Sequence, residues 1–288
     1  MKQQIFSIFT RTPLHVGAGS SVGIVDLPII RERHTSYPVI PGSSLKGVLA
    51  DLWNSELGKD GKRPDNSEAE QLFGKDNDPK NAAAGHLLVG EGRVLAFPVR
   101  SAKAGFAWAT CPLALGRYFR DAEKNIDMPD LKDMQCVAVD GLKFLETKQI
   151  ILEEYVLECL SDNAGTLAKV AAELAKLSED SLWKDEMPKH LVILSDEMFQ
   201  YFVENTCEVA QHVKINDETG TADGGALFNQ ENVPAETMFY TILHETGCDA
   251  LAKLNRKLQE NCNLLQIGAD ATTGLGWASV ELLKNEEN

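Results

Sequence analysis

The chain has 288 residues, 43% hydrophobic and 25% charged, which is ordinary globular material for one elaborated domain or two small ones. Lys plus Arg total 28 against 43 Asp plus Glu, a formal net charge of −15, so non-specific nucleic-acid binding is disfavoured and any RNA surface must be a local patch of cations. No apolar run reaches the ~18–20 residues of a membrane span. The N-terminal stretch has no signal-peptide pattern, and six widely spaced cysteines without a CxxC pair read as buried thiols. The expectation is a cytoplasmic protein without membrane partners.

The first fifteen residues read as a strand, with Ile5, Ile8, Leu14 and Val16 spaced for a sheet. Gly17 to Gly23 breaks it, and a second extended run, Ile24–Ile30, sets Asp26 among Ile24, Val25 and Leu27. From Ser44 the period changes. Leu45, Val48, Leu49, Leu52, Trp53 and Leu57 form the stripe of an amphipathic helix, entered through Pro41–Gly42 and capped by Ser43 or Ser44. Lys59–Asn81 is a polar loop with a short helix around Glu68–Leu72. Leu87–Val89 and Arg93–Val99 read as paired strands about the turn Gly90–Glu91–Gly92. Leu167, Val170, Ala171, Leu174 and Leu177 mark another helix, and Asp196–Asn205 a third, capped by Ser195. Cys207, Val209, Gln211, Val213 and Ile215 alternate as a strand does, and the tip Asn216–Gly225 is too polar to pack a core. A strand restarts near Thr237–Leu243, and Leu264–Ile267 and Trp277–Leu283 are strands joined by GADATTGLG. Strands interleaved with helices, without a repeat or a clear linker, make one α+β domain with insertions.

Three stretches carry chemistry. GSSLKG places Ser43, Ser44 and Lys46 at a helix N-terminus, where unpaired N–H groups favour an anion, and Gly42 and Gly47 permit close approach. The plain alternative is a capped helix with a solvated lysine. The loop HVGAGSSVG lacks both the GxGxxG spacing and the following helix of a dinucleotide site, and suits backbone approach to a nucleic-acid strand better. Gly268–Gly276, with Thr272 and Thr273, offers hydroxyls and free N–H groups to phosphate oxygens, or is simply a turn. Asp26 is a lone carboxylate able to orient a hydroxyl or hold a divalent metal through water, and His15 could act as acid/base or phosphate contact. His244–Glu245 lacks the second histidine of HExxH, and no GxSxG occurs.

The run HVGAGSSVGIVDLPIIRERHTSYPVIPGSSLKG, with LFG at Leu72–Gly74, LAFPVRS at Leu95–Ser101 and IGADATTGLGW at Ile267–Trp277, resembles the RAMP-superfamily backbone subunits of type III-B CRISPR effectors, the Cmr complexes. The resemblance touches both ends and most of the middle. It implies a ferredoxin-like (RNA-recognition-motif-like) core over 1–288 with inserted finger and thumb elements, the thumb hairpin at about 207–240. It implies copies stacked in a filament on a guide RNA beside other effector subunits, each cutting the paired target RNA once with a divalent cation, Mg²⁺. On that resemblance Asp26 corresponds to the catalytic, metal-associated aspartate, His15 to a nearby histidine of lesser importance and Glu231 to an acidic residue near the cut. Gly17, Gly19, Ser43, Ser44, Lys46, Arg100, Thr272, Thr273, Gly274 and Gly276 fall in RNA-contacting segments, and Asn216–Val233 corresponds to the thumb. The implied reaction is attack of a 2′-hydroxyl on its own phosphate to give a 2′,3′-cyclic end. Two other readings stay open, a guide-binding structural subunit with an idle Asp26 and a small-molecule enzyme using the glycine loops.

Overall fold

The last six of the nine residues of β1 (Lys2–Thr10), Ile5 to Thr10, are buried, and that fact organises the molecule. Phe6 and Ile8 point to one face and Ile5 and Phe9 to the other, entering two separate apolar clusters. A strand covered on both faces reads as a near-continuous apolar run, as IFSIF does. Each fully buried Phe contributes about 2–3 kcal/mol.

The computed structural model describes residues 2–21, 23–58, 63–75, 82–144, 148–216 and 219–283. Parts of the expected polar loop (59–62, 76–81) and of the expected hairpin tip (217–218) lie outside these. In chain order the strands of three or more residues are β1, β2 (Leu87–Val89), β3 (Gly92–Ser101), β4 (Gly105–Thr110), β5 (Gln135–Ala138), β6 (Gln149–Leu152), β7 (Tyr155–Cys159), β8 (Leu191–Leu194), β9 (Glu208–Ile215), β10 (Ala222–Asn232), β11 (Met238–Glu245), β12 (Leu264–Gln266) and β13 (Trp277–Leu282). The α-helices of six or more residues are α1 (Gly42–Asp51), α2 (Glu68–Phe73), α3 (Pro112–Asp121), α4 (Thr166–Ala175), α5 (Asp196–Asn205) and α6 (Ala250–Glu260).

One part of the sheet runs β12–β13–β1–β11–β3. Its pairings are antiparallel, with Ile5 opposite Ile242 and Ile8 opposite Val280. The helix α1 lies in chain order between β1 and β2, and α6 between β11 and β12. Leu45 and Leu49 of α1 and Leu251, Leu254 and Leu258 of α6 all join the Phe6–Ile8 cluster. The other part runs β3–β4–β8–β5–β7–β6 and returns to β3 through Ser101 opposite Leu152, giving a barrel-like core. Strand β3 belongs to both parts. Leu115, Tyr118 and Phe119 of α3 and Val170 and Leu174 of α4 fill the second cluster.

Several expectations change. β2 and β3 do not pair as a hairpin. Both lie along β11, Val89 opposite Leu243 and Val94 opposite Phe239, and the Gly90 N–H donates to the Ile242 carbonyl at 3.1 Å between them. The glycines therefore mark an interruption in one edge rather than a reversal. Ile24–Ile30 is not a strand and is held by isolated bridges, Gly17 opposite Ile29 and Leu27 beside Gln230. Helix α1 begins at Gly42 with no side-chain cap, so Ser43 and Ser44 sit inside its first turn. Of the cysteines, Cys207 and Cys248 are only half-buried and Cys262 is exposed; all six are free thiols.

Candidate functional site

Asp26 is exposed at the turn of the glycine-rich loop. The two limbs of that loop hold each other through Ala18 N–H to Pro28 O (2.9 Å), Ser21 N–H to Asp26 O (2.9 Å) and Ile30 N–H to Val16 O (2.9 Å). Its outer limb is fastened to β10 by a reciprocal pair. The Asn229 amide N–H donates to Asp26 Oδ2 at 2.8 Å, and the Asp26 N–H donates to Asn229 Oδ1 at 2.7 Å. Asn229 Nδ2 also reaches the Ile24 carbonyl at 3.2 Å, and Leu27 N–H the Asn229 carbonyl at 3.1 Å. One carboxylate oxygen is thus fixed, while Oδ1 has no partner among the described residues. A carboxylate so held faces solvent in a defined orientation without spending both oxygens.

Beneath the loop, His15 and Glu231 are buried. His15 Nδ1 lies 2.7 Å from the Glu231 carbonyl oxygen, which can only accept, so Nδ1 carries the proton. A Cβ at Gly17 would come 2.7 Å from His15 Nε2, so Gly17 is required by this ring. Glu231 Oε2 accepts the Ile29 N–H at 3.0 Å and Oε1 accepts Arg31 Nη2 at 2.5 Å. Arg31 continues to Ser36 O (2.7 Å), Val203 O (2.9 Å) and Cys207 Sγ (3.3 Å). Burial opposes the Arg31 charge, but the Cys207 thiol and the Glu231 carboxylate more than offset it and hold the guanidinium above its ordinary range. Burial pushes the Cys207 thiol up to about 12. In this arrangement both oxygens of Glu231 brace the segment that follows Asp26.

The C-terminal glycine loop packs on the same network. Ala269 N–H donates to His15 O (2.9 Å), Gly276 N–H to Pro13 O (2.9 Å), and Gln230 Nε2 bridges Asp270 Oδ2 (2.7 Å) and Asn232 Oδ1 (3.1 Å). Gly268 has φ +82° and a Cβ there would meet His15 O at 2.2 Å; at Gly276, φ +78°, it would meet Ile267 O at 1.9 Å. These two glycines serve the fold. Gly274 (φ +90°) and Gly19 (φ +93°) have open space around a Cβ position, and Thr272 is exposed. The Thr273 hydroxyl donates to the Asp270 carbonyl at 2.9 Å.

GSSLKG lies on a neighbouring face. A Cβ at Gly42 would meet Val89 O at 2.7 Å, so the helix entry sits directly on sheet backbone, whereas Gly47 is open. The first turn holds no acid, and Lys46 is exposed without an ion pair among the described residues. Ser43, Lys46 and Gly47 border an open depression of about 480 Å³. Arg100 stands apart. It is eight residues along β3 from Gly92, about 26 Å of strand, and pairs with Glu153 Oε2 at 2.9 Å.

Asn229, Gln230 and Asp270 are not singled out by the sequence, whereas Arg31 belongs to the basic stretch Arg31–His34. The available signal was the polar run Asn229–Gln230–Glu231–Asn232 inside a strand, three of whose residues are buried. Among the described residues no group of three or more His, Cys, Asp or Glu could hold a metal by itself. The free Asp26 oxygen fits a largely hydrated divalent ion whose other ligands are water and phosphate, the way Mg²⁺ is usually held. Among the described residues no helix is long and apolar enough to cross a membrane.

The chain is 33% identical over 304 residues to the CRISPR system Cmr endoribonuclease Cmr4 of Pyrococcus furiosus, covering 100% of this chain and 98% of that protein. The crystal structure of oligomeric Cmr4 from Pyrococcus furiosus superposes with a TM-score of 0.73 at 29% identity, covering 99% of this chain and 100% of that one. A chain of the type III-B Cmr-beta complex, solved by cryo-electron microscopy bound to cognate target RNA, shares the fold with a TM-score of 0.74 at 21% identity, over 98% of this chain and 97% of that one. Residues 8–279 match the RAMP superfamily, a span that runs from β1 to β13 and takes in the Asp26 loop, α1 and both glycine loops. The chain belongs to the RAMP superfamily.

Proposed function

We propose that this chain is a guide-RNA-binding backbone subunit of a type III-B CRISPR effector and cuts complementary target RNA at regular intervals, using Asp26. One observation carries the reading. The exposed carboxylate is hydrogen-bonded through Asn229 to the β9–β10 hairpin, so the hairpin and the acid move as one piece. The hairpin is the thumb in this account. Its stem exposes Val209, Val213 and Leu227, with Val213 directly opposite Leu227, and Ile24 is 96% exposed beside Asp26. Apolar side chains held in water next to a free carboxylate suit a wedge against nucleobases or a neighbouring copy.

The sheet order β13–β1–β11–β3, with α1 and α6 as the connecting helices, supports a ferredoxin-like core in a single domain over 1–288. Lys46 and the N–H groups opening α1 hold guide phosphate, with Thr272 and Gly274 as further backbone contacts. Sequence is then read by base pairing. At the cut, Asp26 Oδ1 accepts the proton of the 2′-hydroxyl, whose oxygen attacks its own phosphate. The 5′-oxygen leaves with a proton taken from water, giving a 5′-hydroxyl, and a 2′,3′-cyclic phosphate remains. A divalent cation, when bound, neutralises charge on the phosphate. His15 and Glu231 act by position: the first ties the loop to the β10 backbone, the second ties it to Arg31. Copies of the chain along the guide, with other effector subunits in the cytoplasm, would set the spacing of cuts. The test is cleavage of a guide-complementary RNA by assembled complexes carrying Asp26 or Asn at that position. Equal cleavage by both would return the chain to the structural, non-catalytic reading.

A further inference from the structure

Between the Asp26 loop and the entry of α1 lies an open cleft of about 560 Å³ lined by Arg31, Arg33, Arg93, Arg117 and Arg120, of which Arg31 is turned to Glu231, Ser36, Val203 and Cys207. These five guanidiniums come from three separate parts of the chain: the turn after the Asp26 loop, the start of β3 and the last turns of α3. Around them stand four carboxylates, Glu32, Glu91, Asp121 and Glu231. The cleft is therefore locally positive in a chain with 28 cationic against 43 acidic side chains.

The arrangement is built, not diffuse. Arg31 opposite Pro38, with Glu32 N–H donating to Tyr37 O at 2.8 Å, makes a tight turn that presents Arg33 to solvent. Arg117 is set by Glu32, with Nη1 at 3.1 and 2.9 Å from its two oxygens, while Nη2 donates to His34 Nε2 at 3.0 Å. Arg93 and Arg120 share one carboxylate, Asp121, at 3.3 and 3.2 Å, and Asp121 also accepts the Tyr240 hydroxyl at 2.9 Å. Asp121 cannot neutralise both. Arg93 is also engaged by the Tyr240 hydroxyl, whereas the remaining N–H groups of Arg120 carry no partner among the described residues, and neither does Arg33. Guanidiniums oriented along one edge and open along the other match the oxygens of a phosphodiester. Arg31 follows Asp26 by five residues, at most about 18 Å of extended chain, and Pro41 at the other rim opens α1.

We propose that this arginine cleft binds the phosphodiester backbone of an RNA strand between Asp26 and α1, as a contact separate from Lys46 and from the glycine loops. The proposal rests on the RNA-binding reading above. The test uses the purified chain and a 40-nucleotide unstructured single-stranded RNA, with affinity measured across a salt series. Arg33→Ala with Arg120→Ala removes two exposed guanidiniums. It should lower the slope of log affinity against log salt by about 1.4, at about 0.7 per lost contact, which is about 25-fold in affinity at 0.1 M salt. Arg33→Lys with Arg120→Lys should restore most of the slope, and the thermal midpoint should stay put. An unchanged slope in the alanine variant, while Lys46→Ala lowers it, overturns the cleft and leaves the broader reading standing. Wild-type chain that binds no RNA overturns both. An unchanged slope with lost self-association in sedimentation makes the cleft a protein–protein face and likewise overturns the proposal.

Discussion

Replacing Glu231 with Gln separates a brace from a catalytic acid. The substitution keeps the size and one acceptor for the Ile29 N–H, but removes the charge and turns an NH2 donor toward Arg31 Nη2. The two side chains are 18% and 11% exposed, so the pair is largely withdrawn from water. Losing one member of such a pair typically costs about 3–5 kcal/mol. Arg31 keeps the carbonyls of Ser36 and Val203 and some contact with solvent, which lowers the expectation to about 2–3 kcal/mol. At about 2–4 °C per kcal/mol for a chain approaching this size, the thermal midpoint should fall by about 4–12 °C. Calorimetry on the wild type, Glu231→Gln, Arg31→Met and the double variant closes the cycle, and the double variant should recover part of the loss. Cleavage per bound target should survive at temperatures well below the lowered midpoint. A midpoint within 1 °C of wild type together with abolished cleavage would refute the brace and put Glu231 in the chemistry.

Two further outcomes follow from the same geometry. Burial, reinforced by the Asp180 charge and opposed by Arg11, pushes the Glu236 carboxyl up to about 7 from an ordinary 4.5. The folded state then binds this proton more tightly than the unfolded one, so its contribution is full below about 4.5 and is lost as pH rises through 7. Glu236→Gln should raise stability at pH 8 by about 1–2 kcal/mol after discounting for solvent screening, and should flatten the decline between pH 5 and 8 in urea titrations. Gly268→Ala, which drives a Cβ into the His15 carbonyl, should cost about 3 kcal/mol or more, and Gly274→Ala in open space only about 1–2 kcal/mol. Equal midpoints in urea for these two glycine variants would contradict the assignment of Gly268 to the fold.

What could be read from the sequence follows from how local each signal is. The stripe of α1 and the Ser195 cap of α5 are written within one or two turns; α5 stands where the pattern puts it, and α1 starts there but ends at Asp51, leaving Leu52, Trp53 and Leu57 of the expected stripe beyond it. Helices α3 and α6 went unread because their starts carry no ordinary cap. The first is entered at Cys111, whose Sγ accepts the Ala114 N–H at 3.4 Å, and the second through Cys248 and Asp249 in left-handed conformations. The pairing of β2 and β3 was misread because a glycine turn between two apolar runs looks the same whether the chain reverses or carries on along a third strand. Asp26 was legible as a lone acid in a glycine-rich frame. Its partner Asn229, 203 residues away, was not, because nothing in a local window encodes a contact made by the folded sheet. The arginine cleft has the same origin: Arg31 and Arg33 are neighbours in sequence, but Arg93, Arg117 and Arg120 join them only through β3 and α3.

The most direct test of the central claim is single-turnover cleavage of an end-labelled, guide-complementary RNA by complexes assembled with wild-type chain or with Asp26→Asn. Subunit content and bound target are checked to be equal. The amide keeps an acceptor for the Asn229 N–H but cannot take the proton of a 2′-hydroxyl. The wild type should give a ladder of regularly spaced products ending in 2′,3′-cyclic phosphate. Asp26→Asn should lose every rung by at least about 100-fold in rate, the scale of a missing general base, with target affinity unchanged. A ladder at wild-type rate from Asp26→Asn would remove Asp26 from the reaction.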